Sequence, residues 1–358
     1  MRQPKLFAGE SLCERAGFPY LTYYRAGSKD KPLVIFSPGG GHLARVVYGH
    51  DGANREDFLD YWLESLGYGL LAISYPSDHP IFERPYPEMS VSDWGKSLAS
   101  VVAAFIDEKE LSPRIILVGW SMSGRLVSTF AQAARELKLE SMCFISLAAS
   151  IPMPGILQRQ TGVEPLTPEG LWDFEGTWRP AVWEKNIEEI NRTEGHPVIS
   201  LEDYRAFYRC NNPIQLRGEA DRFQNGARFV STELAINDVR PFDYSQFPIC
   251  AAIAPAYPLD SRHALTDGVS WAFYTIYSIV LGRFAGRNLM ELSEIAWDEL
   301  RDLVTSIPQR LTRYSPGGHF FFLGKKGASV SAQYIDELVL EVAKLEEKIK
   351  ALAGLEKP

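Results

Sequence analysis

The stretch from Arg114 to Gly124, RIILVGWSMSG, constrains this 358-residue chain more than any other part of it. Its first half is a short apolar run rich in β-branched residues, which predicts a buried strand. The residues after Gly124 place apolar side chains on one helical face, so the pattern predicts a strand, a sharp turn and a helix. The turn holds GWSMS, residues 119–123, which fits the pattern G-x-S-x-G except that Ser123 replaces the last glycine. Small residues there let the strand and helix backbones approach closely around Ser121.

A second motif follows another predicted strand. The apolar run from Lys31 to Phe36 leads directly into SPGGGH, residues 37–42. Consecutive glycines allow backbone N–H groups to come close to a ligand, as the stabilisation of an oxyanion requires. His42 ends the motif, where it would either touch the substrate or order the loop.

Strands and helices alternate over the first 150 residues. The predicted strands are almost uniformly apolar, which is typical of a parallel sheet covered by helices on both faces. Helical periodicity is clear over 54–66 and after Ser90, which with Asp93 forms a predicted N-terminal cap. A strand is expected at 248–254, helices at 269–281 and 289–304, a last strand at 310–314 and an amphipathic helix at 331–353.

The alternation stops between residues 151 and 247, where the chain becomes rich in aromatic residues and proline. We therefore predict an α/β core formed by 1–150 and 248–358, with a mostly parallel central sheet flanked by helices. Residues 151–247 are predicted to be an inserted helical cap.

Composition narrows the classes of function. The net charge of −8 argues against a nucleic-acid partner, which needs a basic surface. No apolar run approaches the ~20 residues of a membrane span, and the N-terminus lacks the apolar region of a signal peptide, so a cytoplasmic protein is expected. The four cysteines lie far apart, so neither a zinc site nor a disulfide framework is predicted.

These motifs together resemble the α/β-hydrolase fold, which implies a triad in the chain order nucleophile, acid, histidine. The resemblance assigns Ser121 as nucleophile and His319, on a glycine turn after the last predicted strand, as general base. Asp260 is the expected acid and Asp267 the alternative.

By the same resemblance the oxyanion is bound by the backbone N–H groups of Met122 and of Gly40 or Gly41. His42 and Trp120 complete the expected substrate-side residues. No metal or organic cofactor is implied.

The chemistry expected is hydrolysis of an ester, thioester or lactone through an acyl-enzyme on Ser121. Aromatic residues of the predicted cap would either line a pocket for an apolar or aromatic substrate or build the cap's own core; they are Trp172, Phe174, Trp178, Trp183, Tyr204, Phe207, Tyr208 and Phe223. An acyltransferase or cyclase with the same triad is a second hypothesis, and a non-catalytic binding protein is a third. The partner would be a small molecule, including an acyl group on a carrier.

Overall fold

A computed structural model describes residues 5–157 and 164–354. The outer ends of the predicted core, 1–4 and 355–358, and part of the predicted cap, 158–163, lie outside the described residues. Within the described residues the strands are, in chain order, β1 Glu10–Arg15, β2 Phe18–Arg25, β3 Leu33–Ser37, β4 Leu70–Ser74, β5 Arg114–Trp120, β6 Glu140–Leu147, β7 Leu171–Trp172, β8 Asn212–Pro213, β9 Asp221–Gln224, β10 Ala227–Val230, β11 Cys250–Pro255 and β12 Thr312–Ser315.

Eight of these strands form one sheet in the order β1-β2-β4-β3-β5-β6-β11-β12. The strands from β4 to β12 in this order pair in parallel, whereas β1 with β2 and β2 with β4 pair antiparallel. The predicted mostly parallel α/β sheet is therefore confirmed. Strand β1 was not predicted, because its polar sequence lies at the sheet edge and is largely exposed.

Helices cover the sheet. They are α1 Leu59–Ser65, α2 Val91–Lys109, α3 Val127–Glu136, α4 Arg179–Glu194, α5 Leu201–Asp203, α6 Thr232–Val239, α7 Ser261–Ser278, α8 Glu294–Arg310 and α9 Lys325–Leu352. The predicted N-terminal capping residue of α2, Ser90, is confirmed, since Ser90 and Asp93 form a reciprocal capping box. Helix α7 begins eight residues before its predicted start, because its first two turns are polar and lack the apolar period.

The core lies on both faces of the sheet. Strands β3, β4 and β11 are buried along their whole length. Each fully buried large apolar side chain contributes roughly 1.5–3 kcal/mol of transfer free energy. Helix α9 buries one face, including Ile335, Leu338 and Leu345, against this core. The predicted amphipathic helix is therefore confirmed, and its apolar face packs on the core.

The stretch 151–247, called here the inserted segment, contains α4 to α6 but also two small antiparallel sheets, β7 with β8 and β9 with β10. It is thus less purely helical than expected. Part of the inserted segment contacts the α/β core at α2. Asp238 of α6 accepts hydrogen bonds there from the backbone N–H groups of Val91 and Ser92, at the start of α2. The boundaries of a separate cap domain stay a prediction.

Two further expectations bear on the cysteines and the membrane. The four cysteines form no disulfide, and Cys143, Cys210 and Cys250 are buried. Over 5–157 and 164–354, no helix is both long enough and apolar enough to cross a bilayer.

Candidate active site

Ser121 lies in a strained turn between β5 and the helix that follows. Its φ is +54°, a left-handed conformation that costs a non-glycine residue roughly 1–3 kcal/mol. The chain then makes a tight 3₁₀ turn, Ser121–Leu126, before α3. Gly124 has to be glycine because a Cβ there would lie 2.2 Å from the Ser150 carbonyl oxygen. The turn presents the Ser121 side chain beyond the carboxyl end of β5.

Ser123 explains the departure from the glycine pattern. Its side chain is fully buried, and its hydroxyl lies 2.7 Å from the Ser37 carbonyl oxygen and 2.8 Å from that of Trp120. One hydroxyl proton serves these acceptors in turn. The serine therefore ties the turn to the end of β3, where the glycine run begins.

The structure brings Ser121, His319 and Asp260 together. The Ser121 Oγ lies 2.9 Å from His319 Nε2, and His319 Nδ1 lies 2.6 Å from Asp260 Oδ2. Because the carboxylate can only accept, Nδ1 carries a proton and Nε2 is free to accept the hydroxyl proton of Ser121. The indole of Trp183 stacks on the His319 ring, with 6.0 Å between ring centroids and 8° between planes.

Burial and neighbouring groups set the charge states of His319 and Asp260. Burial lowers the pKa of His319 below its ordinary 6.5, although Asp260 acts in the opposite direction. Burial acts to raise the pKa of Asp260, but the His319 and His263 imidazoles outweigh it and hold that pKa well below its usual range. A neutral imidazole beside an ionised carboxylate is the resting state that a general base requires.

Asp267, the alternative acid, faces a different histidine. Its carboxylate oxygens lie 2.9 and 3.0 Å from His263 Nδ1, and Arg262 donates to His263 Nε2 at 2.5 Å. His263 is therefore held with its proton on Nδ1. The structure places Asp260, and not Asp267, against His319.

One of the predicted oxyanion donors, the Gly41 N–H, already has a hydrogen-bond partner within the protein. The Gly41 N–H donates to Asn212 Oδ1 at 2.9 Å, whereas Gly40 and Met122 line the cavity next to Ser121. Of the two glycines predicted, the geometry thus favours Gly40 as the donor that pairs with Met122. Sequence reasoning missed Asn212, which lies in the inserted segment within no recognisable motif.

His42 and Trp120 lie behind the cavity rather than in its lining. His42 is fully buried, with Nδ1 3.0 Å from the Gly40 carbonyl oxygen and Nε2 2.7 Å from the Tyr204 hydroxyl. Burial lowers its pKa to about 3, so the ring is neutral and orders the loop. Trp120 is also fully buried and donates from Nε1 to the His319 carbonyl oxygen at 3.1 Å. Both residues thus contact the site from behind the cavity lining, and a direct contact with substrate stays a prediction.

A cavity of about 330 Å³ opens above Ser121. Of the eight aromatic residues predicted either to line a pocket or to build the core of the inserted segment, three line this cavity, namely Trp172, Trp178 and Trp183. The lining also holds four arginines, which sequence reasoning did not single out because they come from separate parts of the chain: Arg125, Arg179, Arg217 and Arg262. The wall is therefore both aromatic and cationic.

Ligand atoms of Asp260, His263 and His319 lie within 4.8 Å of one another, the spacing of a metal site. Both nitrogens of each imidazole already have hydrogen-bond partners: His319 has Asp260 and Ser121, and His263 has Asp267 and Arg262. The cluster is accounted for as a hydrogen-bond network, so no metal ligands are assigned.

No protein-family model matches this sequence, and no curated protein is similar to it at a significant level. Among solved structures, it is similar to a thermophilic esterase from Thermogutta terrifontis and an esterase from Rhodococcus, each at 12% identity and a TM-score of 0.48, with 94% of this chain and 99% of the other covered. A thioesterase domain from the curacin biosynthetic pathway is similar at 14% identity and a TM-score of 0.41, with 92% and 98% covered. Similarity at this level carries no functional argument.

The topology supplies the classification. A mostly parallel sheet carries Ser121 on a strained turn after β5, Asp260 after β11 and His319 after β12, in the chain order serine, acid, histidine. These elements meet at the carboxyl ends of the strands, where open α/β sheets bind their ligands. The chain has the α/β-hydrolase fold.

Proposed function

We propose that this protein is a serine hydrolase that cleaves a carboxylic ester or thioester through an acyl-enzyme on Ser121. The observation that carries the proposal is the hydrogen-bonded series Asp260–His319–Ser121, at 2.6 and 2.9 Å, at the floor of a cavity. A strained serine with a neutral imidazole in contact is the arrangement that makes a hydroxyl nucleophilic.

Each group has one step in the reaction. His319 Nε2 takes the Ser121 proton as Oγ bonds to the substrate carbonyl carbon, and the oxyanion formed accepts from the N–H groups of Gly40 and Met122. The alcohol or thiol then leaves with the proton from His319. Water, activated by the same imidazole, bonds to the acyl carbon and releases the acid, which restores Ser121.

The triad would serve acyl transfer equally well, and a carrier-bound acyl group stays a prediction. Water is the acyl acceptor that we propose.

The test is covalent labelling of the purified protein. A fluorophosphonate probe should label Ser121, and the protein should release 4-nitrophenol from short acyl esters, whereas Ser121→Ala should lose labelling and at least 10³-fold in kcat. Circular dichroism would check that the variant is folded. An Ala variant that labels and turns over like the parent would reject the assignment, as would a parent protein that does neither.

A further inference from the structure

Four guanidinium groups converge on the cavity above Ser121. Arg125 lies in the turn that follows the nucleophile, Arg179 begins α4, Arg217 precedes β9, and Arg262 is the second residue of α7. Arginine is the side chain best suited to bind planar carboxylate or phosphate groups. Their partners within the protein therefore decide whether they are available to a ligand.

Two carboxylates contact three of the four guanidinium groups, so one positive charge of these three is left over. Arg125 donates to Glu219 at 2.6 Å and to the carbonyl oxygens of Ile151 and Met153, so its hydrogen bonds are made within the protein.

Glu164 is shared by two of the other arginines, because it lies 2.9 Å from Arg217 and 3.6 Å from Arg179. Among the described residues, Arg179 thus has only a long contact to a carboxylate that is already paired.

Arg262 has no carboxylate partner within 4 Å in the described part of the chain. Its guanidinium is hydrogen bonded to the Ser150 hydroxyl at 3.2 Å and to His263 Nε2 at 2.5 Å. The carboxylates of Asp260 and Asp267 attract this charge from a longer distance, without forming an ion pair with it. Since His263 lies beside His319, with 5.5 Å between ring centroids, this charge is close to the reacting serine.

Arg179 is held in place by two indole rings. Its guanidinium carbon lies 4.9 Å from the centroid of a Trp172 ring and 5.0 Å from that of a Trp178 ring. Burial, together with the charges of Arg217 and Arg262, lowers the pKa of Arg179 to about 10, and Glu164 offsets this only in part. The like charges repel one another in a partly buried cavity, and a bound anion would relieve that repulsion.

We propose that the substrate of this hydrolase carries an anionic group, a carboxylate or a phosphate, that binds between Arg179 and Arg262 while the ester carbonyl lies at Ser121. This inference rests on the proposed function and specifies its substrate as anionic, whereas the sequence alone suggested an apolar or aromatic one. The tryptophans would pack against the chain that joins the anionic group to the carbonyl.

The first test compares two esters of similar length on the parent protein. The monoester of glutaric acid with 4-nitrophenol has a free carboxylate, and 4-nitrophenyl hexanoate has none. We expect kcat/KM to be at least about 10-fold higher for the glutarate ester at low salt, with the advantage reduced by added salt. Equal or better hydrolysis of the hexanoate ester would overturn the proposal and leave the proposed function intact.

A binding measurement separates this inference from the proposed function. Ser121→Ala cannot form the acyl-enzyme, so thermal unfolding of that variant with glutarate, inorganic phosphate or uncharged glutaramide reports binding alone. Glutarate or phosphate should raise its Tm and glutaramide should not, and the better of the two anions identifies the group. No shift with either anion would overturn the anion site even if esters are cleaved, and a shift without any ester cleavage or labelling would reject only the proposed function.

Two variants locate the charge. Arg179→Met and Arg262→Met should each lower the ratio of kcat/KM for the glutarate ester to that for the hexanoate ester by about 10-fold, because each removes a charge-assisted contact. Arg179→Met gives the clearer result, since Arg262 also contacts His263, which lies beside His319. Arg301→Met on α8 makes the same change at an exposed site outside the cavity and should leave the ratio unaltered. A ratio unaffected by either cavity variant would overturn the assignment of these arginines.

Discussion

At the scale of single residues, His319 is defined by what surrounds it. Asp260 fixes the proton on Nδ1, Trp183 stacks on the ring, and Trp120 holds the backbone carbonyl. Burial is the largest influence on its pKa, and it favours the neutral form. The residue is thereby ready to accept a proton at neutral pH.

The pH dependence of kcat/KM follows from this. Because the pKa of His319 is lowered from 6.5, the imidazole stays neutral further into acid, and activity should fall only as the pH drops through a value below 6.5. The measurement is a pH–rate profile on a 4-nitrophenyl ester. In Arg262→Met the acid limb should move to higher pH, since the Arg262 charge helps to lower this pKa. An acid limb above pH 6.5 in the parent protein would contradict the burial argument.

At the scale of elements, the start of α7 decides which carboxylate contacts His319. Asp260 is the residue directly before the helix, where the chain leaves β11, and it points toward His319. Asp267 lies inside the helix, one turn after His263, and pairs with that residue. A helix that began at the predicted residue 269 would have left both aspartates in a loop.

The two aspartates offer a matched pair of variants. Asp260→Asn should lower kcat by up to about 10⁴-fold, because an amide there no longer holds the productive tautomer of His319. Asp267→Asn makes the same chemical change on a carboxylate that does not contact His319, and should cost about 10-fold or less. Steady-state kinetics on both proteins, with thermal unfolding as the folding control, makes the comparison. Equal losses in the two variants would contradict the choice of Asp260.

At the scale of the whole molecule, the glycine run is held by the inserted segment. The Leu43 N–H donates to the Tyr208 carbonyl oxygen at 2.8 Å, and the Cys210 N–H donates to the Gly41 carbonyl oxygen at 3.0 Å. Asn212, from the same segment, accepts from Gly41 and lies beside Met122. The proposed oxyanion site is thus completed by residues about 90 positions after the nucleophile.

This support can be removed at one position. Asn212→Ala should lower kcat by about 10-fold with a smaller change in KM, less than the ~100-fold that loss of a whole oxyanion donor costs, because Gly40 and Met122 keep their N–H groups but lose their support. Asn211→Ala is the control, since that side chain contacts Asp78 and Phe174 instead of the glycine run. A KM effect with unchanged kcat would show that Asn212 shapes substrate binding rather than the oxyanion site.

The sequence by itself determined the α/β class and the chain order of the site residues. These features are local: apolar runs of strand length, one-sided helical periodicity, and small residues around Ser121 where backbones must approach. His319 could be named because it follows the last strand on a glycine turn. Strand ends that share one edge of a parallel sheet bring such motifs together with no further information.

Only the tertiary structure decided the rest. It placed Asp260 rather than Asp267 against His319. The sequence could not decide between them, because the polar first turns of α7 lack the apolar periodicity that would show where the helix begins. It distinguished Gly40 from Gly41 as the candidate oxyanion donor, because Asn212 of the inserted segment accepts the hydrogen bond of the Gly41 N–H. It also brought four arginines, scattered between residues 125 and 262, to one cavity, where Asp260 is the only carboxylate among the described lining residues and only two carboxylates, Glu219 and Glu164, form ion pairs with the arginines. Charge balance in a cavity depends on which side chains meet in space, and spacing along the chain does not encode it.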